Sequence, residues 1–195
     1  MTSNATWLFA RPAPNFHNAE PWWTAWFSML LLWGAVQGRP QMFPWCTTDA
    51  EGNLIPAGTV SFAGARYDTL VADARLRGEP FGIAEWPNDF LDLRPDLTFI
   101  RPGAARQVVF VETKTIGASV KGNVGRYAEL VAWLEGQGWT AELYYLMSAG
   151  HEALNDWKLL AEAGARILRW EDVFEAAAET PFGALFGEPL ANYLR

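Results

Sequence analysis

The stretch PDLTFIRPGAARQVVFVETKT, residues 95–115, decides how this chain is read. Two apolar runs, LTFI (97–100) and QVVFVETKT (107–115), flank Arg101-Pro102-Gly103-Ala104-Ala105-Arg106, whose Pro and Gly predict a hairpin connection. Alternate residues of a strand share a face. Val108, Phe110, Glu112 and Lys114 therefore point one way, and Val109, Val111 and Thr113 the other. Both faces are apolar, which predicts a central strand, and charges at its end cost free energy unless they have partners. With Gly103-Ala104-Ala105 as a three-residue loop, residue 102 lies opposite 106, and Asp96 falls opposite Glu112 on the same face. A slip of one residue would separate them.

Two facing carboxylates repel, and a divalent cation between them relieves the repulsion. Oxygen-only ligation suits Mg²⁺ or Mn²⁺. Lys114 beside such an ion can orient a water or stabilise developing negative charge, a set suited to phosphodiester hydrolysis. The same residues also fit a structural salt bridge, Lys114 with Glu112 or Asp96, and spacing alone leaves both readings open.

Working outward, 195 residues suit one domain, and a half-hydrophobic composition can bury a sizeable core. We read residues 1–195 as a single domain: 1–63 as an N-terminal helical extension or first core helix, 64–180 as the core, and 181–195 as a tail. One cysteine, Cys46, and two histidines, His17 and His151, support neither a disulfide framework nor a zinc cluster. A reducing, cytoplasmic setting is the expectation. The start of the chain lacks the basic segment and cleavage site of a secretory signal. The most apolar run, WWTAWFSMLLLWGAV (22–36), has 15 residues against the roughly 20 needed to span a bilayer, so we expect no membrane partner.

The net charge of −7 disfavours nucleic acid as a general partner, but its distribution is uneven. Residues 101–126 carry five basic side chains (Arg101, Arg106, Lys114, Lys121, Arg126) against one acid, Glu112. Lys121 and Arg126 are the expected phosphate contacts, a solvated basic loop being the alternative.

Asn18 and Pro21 mark the start of a helix that runs to about Val36, apolar almost all round and hence expected to be covered on most sides. Its tryptophans, Trp22, Trp23, Trp26 and Trp33, are expected in the core, with base stacking as the alternative. Residues 39–63 are turn-rich with strand-like pieces such as GTVSFAG. Residues 65–77 show helical spacing, and FGIAEW (81–86) reads as a short strand. After the hairpin come a helix over 123–135, a strand over 139–147, a helix over 152–164, a strand over 165–170 and a helix over 171–179. Alternating strands and helices imply helices on both faces of a sheet.

Pro95-Asp96 followed by Glu112-Thr113-Lys114, on a hairpin whose second strand leads into a helix, resembles the PD-(D/E)XK nuclease superfamily. The resemblance implies an α/β, restriction-endonuclease-like three-layer core, a mixed central sheet flanked by helices. It implies a Mg²⁺- or Mn²⁺-dependent nuclease acting on DNA ahead of RNA, with a protein partner or a homodimer as further associations. Asp96, Glu112 and the carbonyl of Thr113 would hold metal, and Lys114 would be the catalytic lysine. A glutamate on the first helix would join them: Glu20, which fits a helix-capping role equally well, or Asp68 or Asp73 if residues 65–77 are that helix. The Q-x-x-x-Y motif of the RecB-like branch, which helps hold DNA, has its counterpart in Asn123-Val124-Gly125-Arg126-Tyr127, with Asn for Gln; Asn123 also fits a plain N-cap. The alternative function is a catalytically silent relative that binds nucleic acid or protein within a larger assembly.

Overall fold

A computed structural model describes residues 20–62, 66–68, 73–101, 104–114, 119–120, 122–148 and 154–183. The strands are β1 (Phe43–Thr48), β2 (Leu54–Val60), β3 (Arg66–Asp68), β4 (Leu97–Arg101), β5 (Gln107–Thr113), β6 (Thr140–Met147) and β7 (Arg166–Arg169). The helices are α1 (Glu20–Val36), α2 (Ala74–Gly78), α3 (Val124–Gly136), α4 (Leu154–Glu162) and α5 (Trp170–Ala178). All seven strands join one mixed sheet in the order β2-β1-β7-β6-β5-β4-β3. Strands β5, β6 and β7 are parallel, joined by α3 and α4, while the remaining pairings are antiparallel.

The hairpin register matches the expectation. Leu97 pairs with Val111, Ile100 with Val108 and Arg101 with Gln107, the frame in which Asp96 continues opposite Glu112. Strand β5 is flanked by β4 and β6 and buried on both faces. Val108 and Phe110 pack with Val124, Tyr127, Leu130 and Leu134 of α3 and with Trp157 and Leu160 of α4. Val109 and Val111 pack with Trp23, Trp26, Phe27 and Leu30 of α1 and with Trp170 and Val173 of α5. The result is a three-layer α/β arrangement with α1 and α5 on one face and α3 and α4 on the other.

Trp23 and Trp26 are buried against Trp170, at ring distances of 5.7 and 6.4 Å. That placement removes them as a base-stacking platform, while the side chain of Trp22 lies outside the described residues. Helix α1 is less covered than its composition suggests: Met29, Leu32 and Val36 form an outward stripe, with Leu32 65% and Val36 73% exposed. No helix among the described residues is long and apolar enough to cross a membrane.

Two sequence expectations are overturned. Residues 65–77 do not form one helix. Arg66–Asp68 instead pair with Thr98–Ile100 as an edge strand, and only Ala74–Gly78 is helical. The open ladder of β4 supplies hydrogen-bond partners that outweigh a weak helical pattern. FGIAEW is not a strand. Glu79–Phe81 forms a 3₁₀ turn ended by Gly82 at φ 65°, and Ile83 N–H donates to Gly78 O at 3.0 Å. A Cβ on Gly78 would stand 2.2 Å from Ile83 O, so only glycine fits this close approach. Phe81 and Trp86 pack on one another at 5.1 Å.

Arg77 is buried beside this turn. Its Nη1 donates to the carbonyls of Phe90 (2.7 Å) and Leu93 (3.0 Å), and its Nη2 to that of Leu91 (3.0 Å). The guanidinium also lies 5.8 Å from the centre of the Trp86 ring. Arg77 thus ties down the loop that leads into Pro95-Asp96.

Candidate active site at the end of strand β5

Backbone direction sets the site. Lys114 N–H donates to Leu146 O of β6 at 2.9 Å. The N–H and C=O of the preceding residue, Thr113, therefore point the other way, toward β4. Continuing the register places Pro95 opposite Thr113, and proline has no N–H to offer. The ladder ends there, with no proline N–H for the Thr113 C=O, and the Thr113 N–H turns to the Asp96 side chain. Its Oδ2 accepts from Thr113 N–H at 2.7 Å and from Thr113 Oγ1 at 2.7 Å. Thr113 has one hydroxyl hydrogen, so in its 2.6 Å contact with Thr24 Oγ1 the helix α1 residue is the donor.

On the α3 face, Glu112 is buried at 7% exposure. Its Oε1 accepts from Lys114 Nζ at 2.8 Å and its Oε2 from Tyr127 OH at 3.2 Å. Burial pushes the Glu112 carboxyl above its ordinary value; the charge of Asp96 adds to that rise, and Lys114 opposes it. Burial and the nearby Glu112 charge also push the Tyr127 phenol well up, so it remains a donor. The expected pairing of acids is refined accordingly. The register holds and the charges interact, but the Asp96 carboxylate turns across the ladder to Thr113 instead of lying over Glu112.

Glu112, Lys114, Thr113 and Tyr127 are thus gathered at one end of β5 with Asp96. Asn123 is exposed at the N-cap of α3, one turn before Tyr127, and makes no side-chain capping bond because its backbone (φ −129°, ψ −8°) is off the extended cap geometry. Glu20 begins α1, four residues before Thr24; its side chain, like that of Asp68 and like Lys121 as a whole, lies outside the described residues. Asp73 is not at the site. Its Oδ1 caps α2, accepting from Arg75 N and Leu76 N at 3.0 Å each.

Arg126 is placed differently from the expectation of a phosphate contact. It is clamped to the Asp92 carboxylate, with Nη2 2.7 Å from Oδ1, and also donates to the Asp89 carbonyl. The first turn of α3 passes beside the loop of residues 88–93, and the nearer anion takes the guanidinium. The basic island is therefore not one patch: Arg106 precedes β5, Lys114 follows it and is tied to Glu112, and Arg126 is held by Asp92. Arg126 holds the Asp92 carboxyl down at about 2. A depressed carboxyl contributes stability above its unfolded value and loses it as pH falls through the folded one. Carboxyl NMR titration should give an Asp92 midpoint near 2, which Arg126→Gln returns to the ordinary carboxylate range. An unchanged midpoint in that variant would dissolve the clamp.

Other contacts at this sheet end were not legible in the sequence. Trp170 Nε1 donates to Lys114 O at 3.1 Å, and Ser148 Oγ to Glu171 Oε1 at 2.7 Å. Thr24, Ser148 and Trp170 arrive from distant elements, and no local spacing marks them. Among the described residues, no group of three or more His, Cys, Asp or Glu side chains could hold a metal ion. No family model, curated protein or solved structure matches the chain.

Proposed function

We propose that the protein hydrolyses nucleic-acid phosphodiesters, DNA ahead of RNA, with Mg²⁺ or Mn²⁺ held at the end of β5, in the manner of PD-(D/E)XK nucleases. The observation that carries this reading is the buried Glu112, raised toward its neutral form by burial and by Asp96 and bonded to Lys114 and Tyr127. Two carboxylates, Asp96 and Glu112, share one ammonium there, so the cluster carries net negative charge, which suits a cation. Mg²⁺ characteristically takes one or two carboxylates and completes its shell with waters and substrate phosphates, so a pair of acids suffices. Asp96, Glu112 and the Thr113 carbonyl, which points toward the unpaired end of β4, are the residues that would hold it. The chemistry supplied there is Lewis-acid polarisation of a phosphate oxygen.

The remaining work falls to this chain's own groups. Lys114, anchored on Glu112, orients a water or stabilises charge developing on the phosphate. Tyr127 fixes Glu112 from α3, and Thr24 with Thr113 fixes Asp96 from α1. A silent binding module is the second reading. It is favoured by the same contacts seen statically, since Lys114 already neutralises Glu112 and Asp96 already closes the ladder.

Asp96→Asn separates the two. A carboxamide oxygen still accepts from Thr113, so the fold should hold while the charge is lost. Calorimetric titration with Mn²⁺ should show binding to the wild type that this variant weakens at least tenfold. Equal binding by both proteins would remove Asp96 from the ion. No binding by the wild type, with no cleavage of labelled DNA or RNA, would leave the binding module.

A further inference from the structure

A second feature lies at the opposite end of β5. A cleft of about 1020 Å³ opens between the segment Ala74–Asn88, the C-terminal end of α3 and the start of β5. It is lined by Arg75, Asn88, Arg106, Trp133 and Gln137, with Trp86 in its wall. Arg106 lies six positions before Glu112 along β5, which sets the two about 20 Å apart.

Arg106 is exposed and makes no ion pair with a described residue. Its backbone holds the left-handed region at φ 37°, and its carbonyl accepts Thr140 N–H at 2.8 Å. Its Nη1 stands 3.5 Å from the position a Cβ on Gly138 would take, which places the guanidinium beside the end of α3. Arg75 faces Glu79 at 3.8 Å, with both side chains more than half exposed, a pair weak enough to yield to a better anion. One acid, Glu85, also lines the cleft, which leaves it net positive on a chain of net −7.

The cleft wall is aromatic. Trp133 is half-buried, with its ring edge-on to Trp86 at 5.3 Å and near Phe90 at 6.2 Å. Two guanidiniums suit a phosphate, a fixed indole suits a base, and the amides of Asn88 and Gln137 suit the polar edge of that base. We propose that this cleft binds a nucleotide unit, phosphate on Arg75 and Arg106 and base against Trp133. Free nucleotide and a single strand running from the candidate active site share that chemistry. Only the strand source rests on the nuclease reading.

The test is calorimetry in EDTA, where no divalent ion supports cleavage. Three ligands are compared: inorganic phosphate, a mononucleotide and a single-stranded eight-nucleotide oligothymidylate. Nucleotide or oligonucleotide should bind at least tenfold tighter than phosphate, and Arg106→Gln and Arg75→Gln, both at exposed positions, should each weaken binding several-fold. The salt slope for the oligonucleotide should fall by about one in each. Tighter binding of the oligonucleotide identifies a strand, and equal binding a free nucleotide. Binding no tighter than that of phosphate, or binding unchanged in both variants, overturns the proposal. The mononucleotide does not reach from the cleft to the candidate active site, so failure of the cleft and failure of the nuclease reading are told apart.

Discussion

Lys114→Met should lower the rate of cleavage roughly 10²-fold or more while substrate binding changes little. Losing one electrostatic contact aimed at developing charge in a site that excludes water has an effect of about that size. The methionine keeps the stem and its packing and removes only the ammonium. The structure adds a second consequence. Lys114 Nζ lies 2.8 Å from a carboxylate that is buried, so its loss leaves Glu112 with Tyr127 as donor. The carboxyl, already raised by burial, should rise further. A raised carboxyl favours folding below its unfolded value and withdraws that help as pH climbs through the folded one. The ion-free variant should therefore lose stability relative to wild type as pH rises from about 4.3 toward neutrality. Adding Glu112→Gln should abolish that slope. The assay is cleavage of labelled DNA and RNA with Mg²⁺ and Mn²⁺, beside denaturant melts across pH. Equal cleavage by wild type and variant would reduce Lys114 to an ion-pair partner.

Arg77→Ala should be the most destabilising of these substitutions, by about 3 kcal/mol or more, because it takes a donor from three carbonyls, of which Phe90's keeps the Leu93 N–H, and opens a hole in a buried site. Arg77 is 1% exposed and spans Phe90, Leu91 and Leu93 in a planar fork. Burial pushes the guanidinium down from its ordinary value, with Arg94 adding and Asp92 opposing, yet a guanidinium stays charged at any working pH. Arg77→Lys should recover part of the loss, since one ammonium cannot reproduce the fork. Denaturant midpoints at unchanged m-value measure both. A loss under about 1 kcal/mol in Arg77→Ala would mean that water replaces the guanidinium and that the loop does not depend on it.

These two residues share a logic. Arg77 holds the loop of residues 90–93 from below, and Arg126 holds Asp92 and Asp89 from α3. Pro95 then ends the ladder so that Asp96 can turn toward Thr113. The acid of the candidate site is delivered by a loop pinned at several points, not by a regular strand. That arrangement suits a group required to keep one position when a charged substrate arrives.

Local pattern and global need agree over the hairpin and the parallel half of the sheet. The alternation of QVVFVET placed Glu112 on one face and Thr113 on the other, and the two apolar runs flanking a short connection read as a hairpin whose register brings Asp96 level with Glu112. The alternating strands and helices after residue 106 fixed the parallel half of the sheet, because a parallel pair requires a crossover. Tyr127 was legible at helical spacing, although its bond to Glu112 was not. Only the tertiary structure decided the rest. Residues 66–68 joined the sheet because the edge of β4 needed partners, and FGIAEW did not because the turn over Glu79–Phe81 and the Ile83 N–H bond to Gly78 O fold it back on α2. Charges counted along the chain looked like one basic island, yet a strand of seven residues carries its ends about 20 Å apart. Arg106 and Lys114 therefore face different neighbourhoods, and Arg126 is taken by Asp92, an acid 34 residues earlier. Strand and helix periods act over a few residues. Which acid meets which base depends on long-range packing, and no local spacing encodes it.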